Sequence, residues 1–212
     1  MLSHTYSLRQ RFRGMMDPHF FPSNLRTVCK VRLSILMLAP RKTLWKTPQA
    51  AIDRAVAWCG PLRDEDVVVD LGCGDGTTLV HWAKHTATTT RARFVGIDIE
   101  ATRITDARSN WDEAVRQGEI SAETPVLFYC GNALQADVWK DATVLFLYLI
   151  PRGLRQIIPL LKQMTHPIRV VSYMAPLPGE QPVHKETVQL DHQPDARWPI
   201  YYYNLEPPSR NG

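Results

Sequence analysis

One stretch limits what this chain can become. Residues Val67 to Val80 read Val-Val-Val-Asp-Leu-Gly-Cys-Gly-Asp-Gly-Thr-Thr-Leu-Val. A β-branched run stops at an acid, glycines follow at every second position, and an apolar segment resumes. That order predicts a buried strand, a tight turn and the start of a helix. Gly72, Gly74 and Gly76 allow backbone angles that other residues resist and put no Cβ between chain and ligand. The spacing is Gly-x-Gly-x-Gly, not the Gly-x-Gly-x-x-Gly that admits a dinucleotide pyrophosphate. Asp70 beneath the turn would repel a pyrophosphate; it suits a ligand that carries an ammonium group.

A second motif follows about twenty-five residues on. Phe94-Val95-Gly96-Ile97-Asp98-Ile99 predicts another strand ending in a carboxylate. In nucleotide-binding α/β sheets an acid there accepts hydrogen bonds from ribose hydroxyls. The competing role for Asp98 is capping the helix expected from Ala101. Further apolar runs predict strands over 125–130, 143–148 and 168–174, with a terminal pair over 184–190 and 199–205. Helical periodicity between them predicts helices from Pro48, which Thr47 would cap, and over 77–85, 101–117 and 154–161, the last kinked by Pro159. Strands alternating with helices imply a doubly wound, mostly parallel seven-stranded sheet, closed by an antiparallel strand.

Charge divides the chain. Nine basic residues and a single acid, Asp17, lie at or before Lys46. The remainder holds sixteen basic and twenty acidic residues, which argues against nucleic-acid binding by the body. Residues 1–43 therefore read as a basic leader and 44–212 as the folded domain. The leader is Arg-rich and acid-poor, as mitochondrial transit peptides are; a plain disordered arm on a cytoplasmic protein is the other reading. Val31 to Leu38 is too short to span a bilayer. Cys29, Cys59, Cys73 and Cys130 show no paired spacing, which argues against a disulfide framework or a zinc site. His81 and His85 are one turn apart on a helix but lack the intervening glutamate of a zinc protease, so no metal is expected.

These motifs resemble the class I S-adenosylmethionine (SAM) methyltransferases. Within that class the chain is similar to a branch of seven-strand protein-lysine methyltransferases, with mitochondrial and archaeal members. The matching segments are Trp45-Lys46-Thr47-Pro48, Asp70 to Gly76, Gly131-Asn132-Ala133-Leu134, Tyr148-Leu149-Ile150-Pro151 and Val170-Val171-Ser172-Tyr173. The resemblance implies SAM as cofactor, S-adenosylhomocysteine as product and a protein lysine as acceptor. It implies that Asp70, Gly72, Cys73, Gly74, Gly76, Asp98, Ile99, Asn132 and Ala133 hold the cofactor. Tyr148 is expected to act on the acceptor amine, with Trp45 and Tyr173 at the cleft mouth. Asn132 stands where the branch has aspartate, and Tyr173 where it has histidine. An asparagine oxygen still accepts from an adenine amine, although Asn132 is also a natural turn residue. A methyltransferase of RNA or small molecules, and a non-catalytic assembly protein of this fold, are the alternatives. Oligomeric state is not legible.

Overall fold

Apolar β-branched runs build the sheet, and their alternation decides which helix each face receives. The computed structural model describes residues 45–86, 91–190 and 193–208. The basic leader, with its import reading, lies outside them. The strands are β1 (Val67–Leu71), β2 (Arg93–Asp98), β3 (Val126–Cys130), β4 (Val144–Leu147), β5 (Ile168–Tyr173), β6 (His184–Leu190) and β7 (Gln193–Leu205). They form one seven-stranded sheet in the order β3-β2-β1-β4-β5-β7-β6. β7 runs antiparallel to both of its neighbours, and the other pairings are parallel.

The helices are α1 (Gln49–Cys59), α2 (Thr77–Thr86), α3 (Ala101–Arg116) and α4 (Pro151–Leu161). Val68, Phe94, Phe128 and Phe146 point to one face, where Ala55 of α1, Trp82 of α2 and Trp111 of α3 cover them. Val69, Val95, Leu145 and Leu147 point to the other, under Leu154 and Ile157 of α4 and Trp139. Burial of central parallel strands on both faces explains why β1 and β4 carry no alternation of polarity. Among the described residues no helix is long and apolar enough to cross a membrane.

The terminal strand starts earlier than expected. β7 begins at Gln193 and runs through Pro199, whereas the proline was expected to open it. Pro199 pairs with Thr187 of β6, and its carbonyl accepts from the Met174 amide at 2.8 Å just past β5; ladder pairing with β5 begins at Ile200. A residue without an N–H is tolerated there because β5 has ended and only the proline's carbonyl is called on. Thr47 does not cap α1. Pro48 occupies the cap position without a side-chain hydrogen bond, and the Thr47 hydroxyl instead accepts from Thr78 at 3.3 Å. α4 continues through Pro159, which falls in its last turn.

The sheet is braced at the end away from the glycine turn. Asp66 accepts from Thr143 at 2.6 Å and from the Arg63 amide at 2.7 Å, and pairs with Arg169 at 2.6 Å. Arg169 also donates to the Cys59 carbonyl at 2.7 Å, tying the C-terminus of α1 to β5.

Candidate active site

The order of strands reverses between β1 and β4, and ligands of open α/β sheets bind at that point, beyond the strands' carboxyl ends. A cavity of about 200 Å³ lies there. Asp70 and Gly72 from the end of β1, Tyr148 after β4 and Met174 after β5 line it, with Trp45 and Lys46 across from them.

The glycine turn is folded by its own hydrogen bonds. The amides of Gly72 and Cys73 both donate to the Ile97 carbonyl, at 2.7 and 3.0 Å. The Gly74 amide donates to Asp98 Oδ2 at 3.0 Å, so the acid on β2 fixes the turn on β1. The other oxygen of Asp98 accepts from the Glu100 amide at 2.9 Å. Asp98 thus braces both the turn and the entrance to α3, and Arg103 stands 3.7 Å away. The opening amide of α2 is already capped: Thr77 N–H donates to Asp75 at 3.2 Å. The helix start therefore has one donor fewer to offer a ligand.

Gly76 serves packing. Its φ is +75°, and a Cβ there would lie 2.9 Å from the Ala107 Cβ and 3.1 Å from the Ala107 Cα on α3. It is absent from the cavity lining, as are Asp98, Ile99, Asn132 and Ala133. Those last four lie along the ends of β2 and β3, beside the cavity. Ile99 is 45% exposed there. The Asn132 side chain accepts from the Leu134 amide at 2.9 Å and closes a turn. The Ala133 carbonyl accepts from the Trp139 indole at 2.8 Å. Cys73 is buried, and burial holds its thiol well above the ordinary range, so it packs as a small apolar side chain.

The side of the cavity opposite the glycine turn is aromatic. Tyr148 lies just beyond the last residue of β4, 6.4 Å between ring centroids from Trp45, which is 52% exposed at the mouth. Tyr173 is not at the mouth. It is 1% exposed and meets Tyr148 edge-on at 4.8 Å, beneath it. Position explains this: β5 side chains alternate, and residue 173 points into the core under α1–α3. Burial raises the Tyr148 phenol above its usual range; burial and the neighbouring Tyr148 push Tyr173 up to about 12. Both stay protonated near neutrality, as hydrogen-bonding groups and not as bases.

Lys46, Asp75 and Met174 are among the lining residues to which the sequence reading assigned no role. Lys46 pairs with Asp75 at 2.7 Å and closes the front of the cavity. Burial draws the Asp75 carboxyl up, but Lys46 and Thr77 outweigh it and hold the group below its ordinary range. Met174 is the only described non-glycine residue with a positive φ, +73°, immediately after β5. Asp75 sat inside the glycine motif and was legible as an acid; the ion pair with Lys46, twenty-nine positions away, was not.

Asp70 is the most perturbed acid in the site. Burial pushes it up to about 7; the Thr78 hydrogen bond opposes this, and the charges of Asp98 and Asp75 add to it. A buried carboxyl with no cation beside it fits a cationic ligand, because an ammonium group would restore its charge.

A family model for a methyltransferase domain matches residues 62–151. An RNA methyltransferase from Salinibacter ruber, solved with S-adenosylhomocysteine, superposes with a TM-score of 0.61 at 30% identity, over 76% of this chain and 94% of that one. The chain is a class I SAM-dependent methyltransferase. A protein-lysine N-methyltransferase from Saccharolobus islandicus (strain REY15A) is 28% identical over 146 residues, 68% of this chain and 83% of the relative. A putative rRNA-methylase from Clostridium thermocellum shares the fold, with a TM-score of 0.52 at 11% identity, over 77% of this chain and 99% of that one. The methyltransferase uses SAM, and the buried, cation-seeking Asp70 under the glycine turn fits that cofactor.

A pH dependence follows from Asp70. With its carboxyl raised, the empty protein is favoured by this group at low pH and loses that contribution as pH rises from about 4 through about 7. A ligand ammonium placed on Asp70 would prefer the carboxylate, and its binding would then expel a proton below that pH. Cofactor affinity should fall up to about tenfold per unit below pH 7. Calorimetric titration of S-adenosylhomocysteine between pH 6 and 8 checks this, and Asp70→Asn should flatten the profile while weakening binding throughout.

Proposed function

We propose that this methyltransferase transfers the methyl group of SAM to the side-chain amine of a protein lysine. The observation that carries the reading is the aromatic wall of Trp45 and Tyr148, with Tyr173 beneath, opposite the glycine turn. A lysine ammonium has an ordinary pKa of about 10.4, and a dry aromatic site favours its neutral, nucleophilic form. Tyr148 Oη can accept from the amine and orient its lone pair. The exposed face of Trp45 can receive the incoming ammonium before it is desolvated. The similarity to the Saccharolobus protein-lysine N-methyltransferase supports the same acceptor.

On the cofactor side Asp70 would take the ammonium, Asp98 the ribose hydroxyls, and Asn132 with Ile99 the adenine. When bound, SAM supplies a methyl group activated by the adjacent sulfonium charge. The chain's own part is alignment, and holding two reactants in line is worth several kcal/mol. Its acids match the ligand's cation; its aromatic side excludes water from the amine.

The similarity to an RNA methyltransferase favours a second reading, RNA as acceptor. The excess of acids over bases beyond residue 46 opposes it. Tritiated methyl transfer from SAM to the protein and RNA fractions of one lysate separates the two. Methyl-lysine in acid hydrolysates supports the proposal; label confined to RNA overturns it. Calorimetry with SAM and S-adenosylhomocysteine tests the assembly-protein alternative, which requires that neither bind. Tyr148→Phe removes one hydrogen bond, worth about 1 kcal/mol, and should lower kcat about fivefold to tenfold with cofactor affinity unchanged. Steady-state kinetics on the labelled acceptor reads this directly.

A further inference from the structure

A second cluster of side chains stands outside the methyl-transfer cavity. Gln49 and Asp53 lie one turn apart on α1, and His81 and His85 one turn apart on α2. The two pairs face each other. His81 Nε2 is 2.7 Å from Asp53 Oδ1 and 3.0 Å from His85 Nε2, and His85 Nε2 is 3.8 Å from Asp53 Oδ1. The Gln49 amide nitrogen sits 3.2 Å from Asp53 Oδ1 and 2.8 Å from His81 Nδ1, and also contacts His81 Nε2. An imidazole nitrogen holds either one proton or one lone pair, so it can serve one partner. Here a carboxylate, a second imidazole and an amide converge on the same His81 nitrogen. Hydrogen bonding alone leaves part of that set unserved.

We propose that Asp53, His81 and His85 bind a divalent transition-metal ion, with zinc the best match. A cation at the centre gives every lone pair the same partner. Tetrahedral ligands at zinc bond lengths stand about 3.3 Å apart. The three separations found here, 2.7, 3.0 and 3.8 Å, bracket that value. Two imidazoles and one carboxylate select zinc and its neighbours over magnesium or calcium, which take oxygen ligands. The fourth position falls to water or to Gln49, whose carbonyl oxygen points inward after a half-turn of the amide. Paired ligands one turn apart on two facing helices are a common way for packed helices to hold a metal.

None of the three ligands lines the methyl-transfer cavity. The ion acts as a clamp. α1 follows directly on the Trp45–Thr47 segment that covers the cavity, and α2 grows out of the glycine turn. One ion pins both. In the sequence the two histidines looked like ordinary surface residues, because their third ligand lies twenty-eight positions upstream on another helix.

The test uses the full chain, without a polyhistidine tag, stripped with chelator and then titrated with Zn²⁺ against a chromophoric competitor. One ion per chain should bind, and a hundredfold excess of Zn²⁺ over Kd should raise Tm by about 5–10 °C. Asp53 and His85 side chains are half exposed, so Asp53→Asn and His85→Ala spare the fold. Each should weaken binding by at least about tenfold, and the double variant should abolish the Tm rise. Co²⁺ in place of Zn²⁺ should give the intense visible absorption of a four-coordinate site. Absence of stoichiometric binding overturns the proposal. So does binding that survives in the double variant, which would place the ion elsewhere. Neither readout depends on which acceptor is methylated.

Discussion

Asp98→Ala should reduce cofactor affinity by about a hundredfold or more, the largest loss expected from one side chain at this site. Asp98 is 5% exposed and accepts from two backbone amides, those of Gly74 and Glu100. Hydrogen bonds to a charged acceptor contribute about 1.5–3 kcal/mol each. Removing the carboxylate leaves both donors unserved, and the glycine turn loses its Gly74–Asp98 anchor to β2. The two losses together correspond to about 3–5 kcal/mol, divided between folding and binding. Asp98→Asn separates the roles. Its oxygen can keep one amide bond while its nitrogen cannot accept the other, so stability should recover further than affinity does. Calorimetry with S-adenosylhomocysteine, read beside chemical denaturation of the same variants, gives both numbers. Undiminished binding by Asp98→Ala would remove this carboxylate from the cofactor site.

Gly76→Ala should destabilise the protein by about 2–5 kcal/mol and lower Tm by about 5–15 °C. Two costs add. The left-handed backbone at φ +75° disfavours any residue with a Cβ, by about 1–2 kcal/mol. The new Cβ also meets Ala107 at 2.9 Å and its Cα at 3.1 Å. Ala107 is part of a helix packed on the sheet, so the crowding cannot be relieved by turning a flexible side chain. Gly179→Ala is the matched control, because Gly179 has φ +80° and nothing within 4 Å of its would-be Cβ. The difference between the two variants isolates the crowding cost. Equal losses would mean that α3 yields, and that the close approach at Gly76 is not what sets the height of the loop.

The N-terminal half of the described sheet was largely legible. A run such as Val-Val-Val-Asp followed by alternate glycines has few other solutions, and the strands up to β5 fall within one or two residues of expectation. Local chemistry decided those elements. What stayed hidden depends on contacts between distant segments. Thr47 looked like a helix cap, yet Thr78 from α2 claims its hydroxyl. Tyr173 was expected at the mouth from its match to the branch's histidine position, and only strand parity in the folded sheet puts it underneath. β7 starts six residues before Pro199, since toward β5 only the proline's carbonyl is called on, by the Met174 amide. Lys46 could not be matched with Asp75, nor His81 with Asp53, because helical periodicity places residues on faces without saying which faces meet.

The strand order has a consequence for how such a protein diversifies. The order β3-β2-β1 carries every acid of the glycine-turn region, while β4-β5-β7-β6 carries Tyr148, Tyr173 and Met174. The two sets meet only along the seam where β1 lies beside β4. On the assignment proposed above, drift in the C-terminal half would retune the choice of nucleophile with the donor's berth intact. A lineage can therefore change clients repeatedly and keep the same currency of transfer.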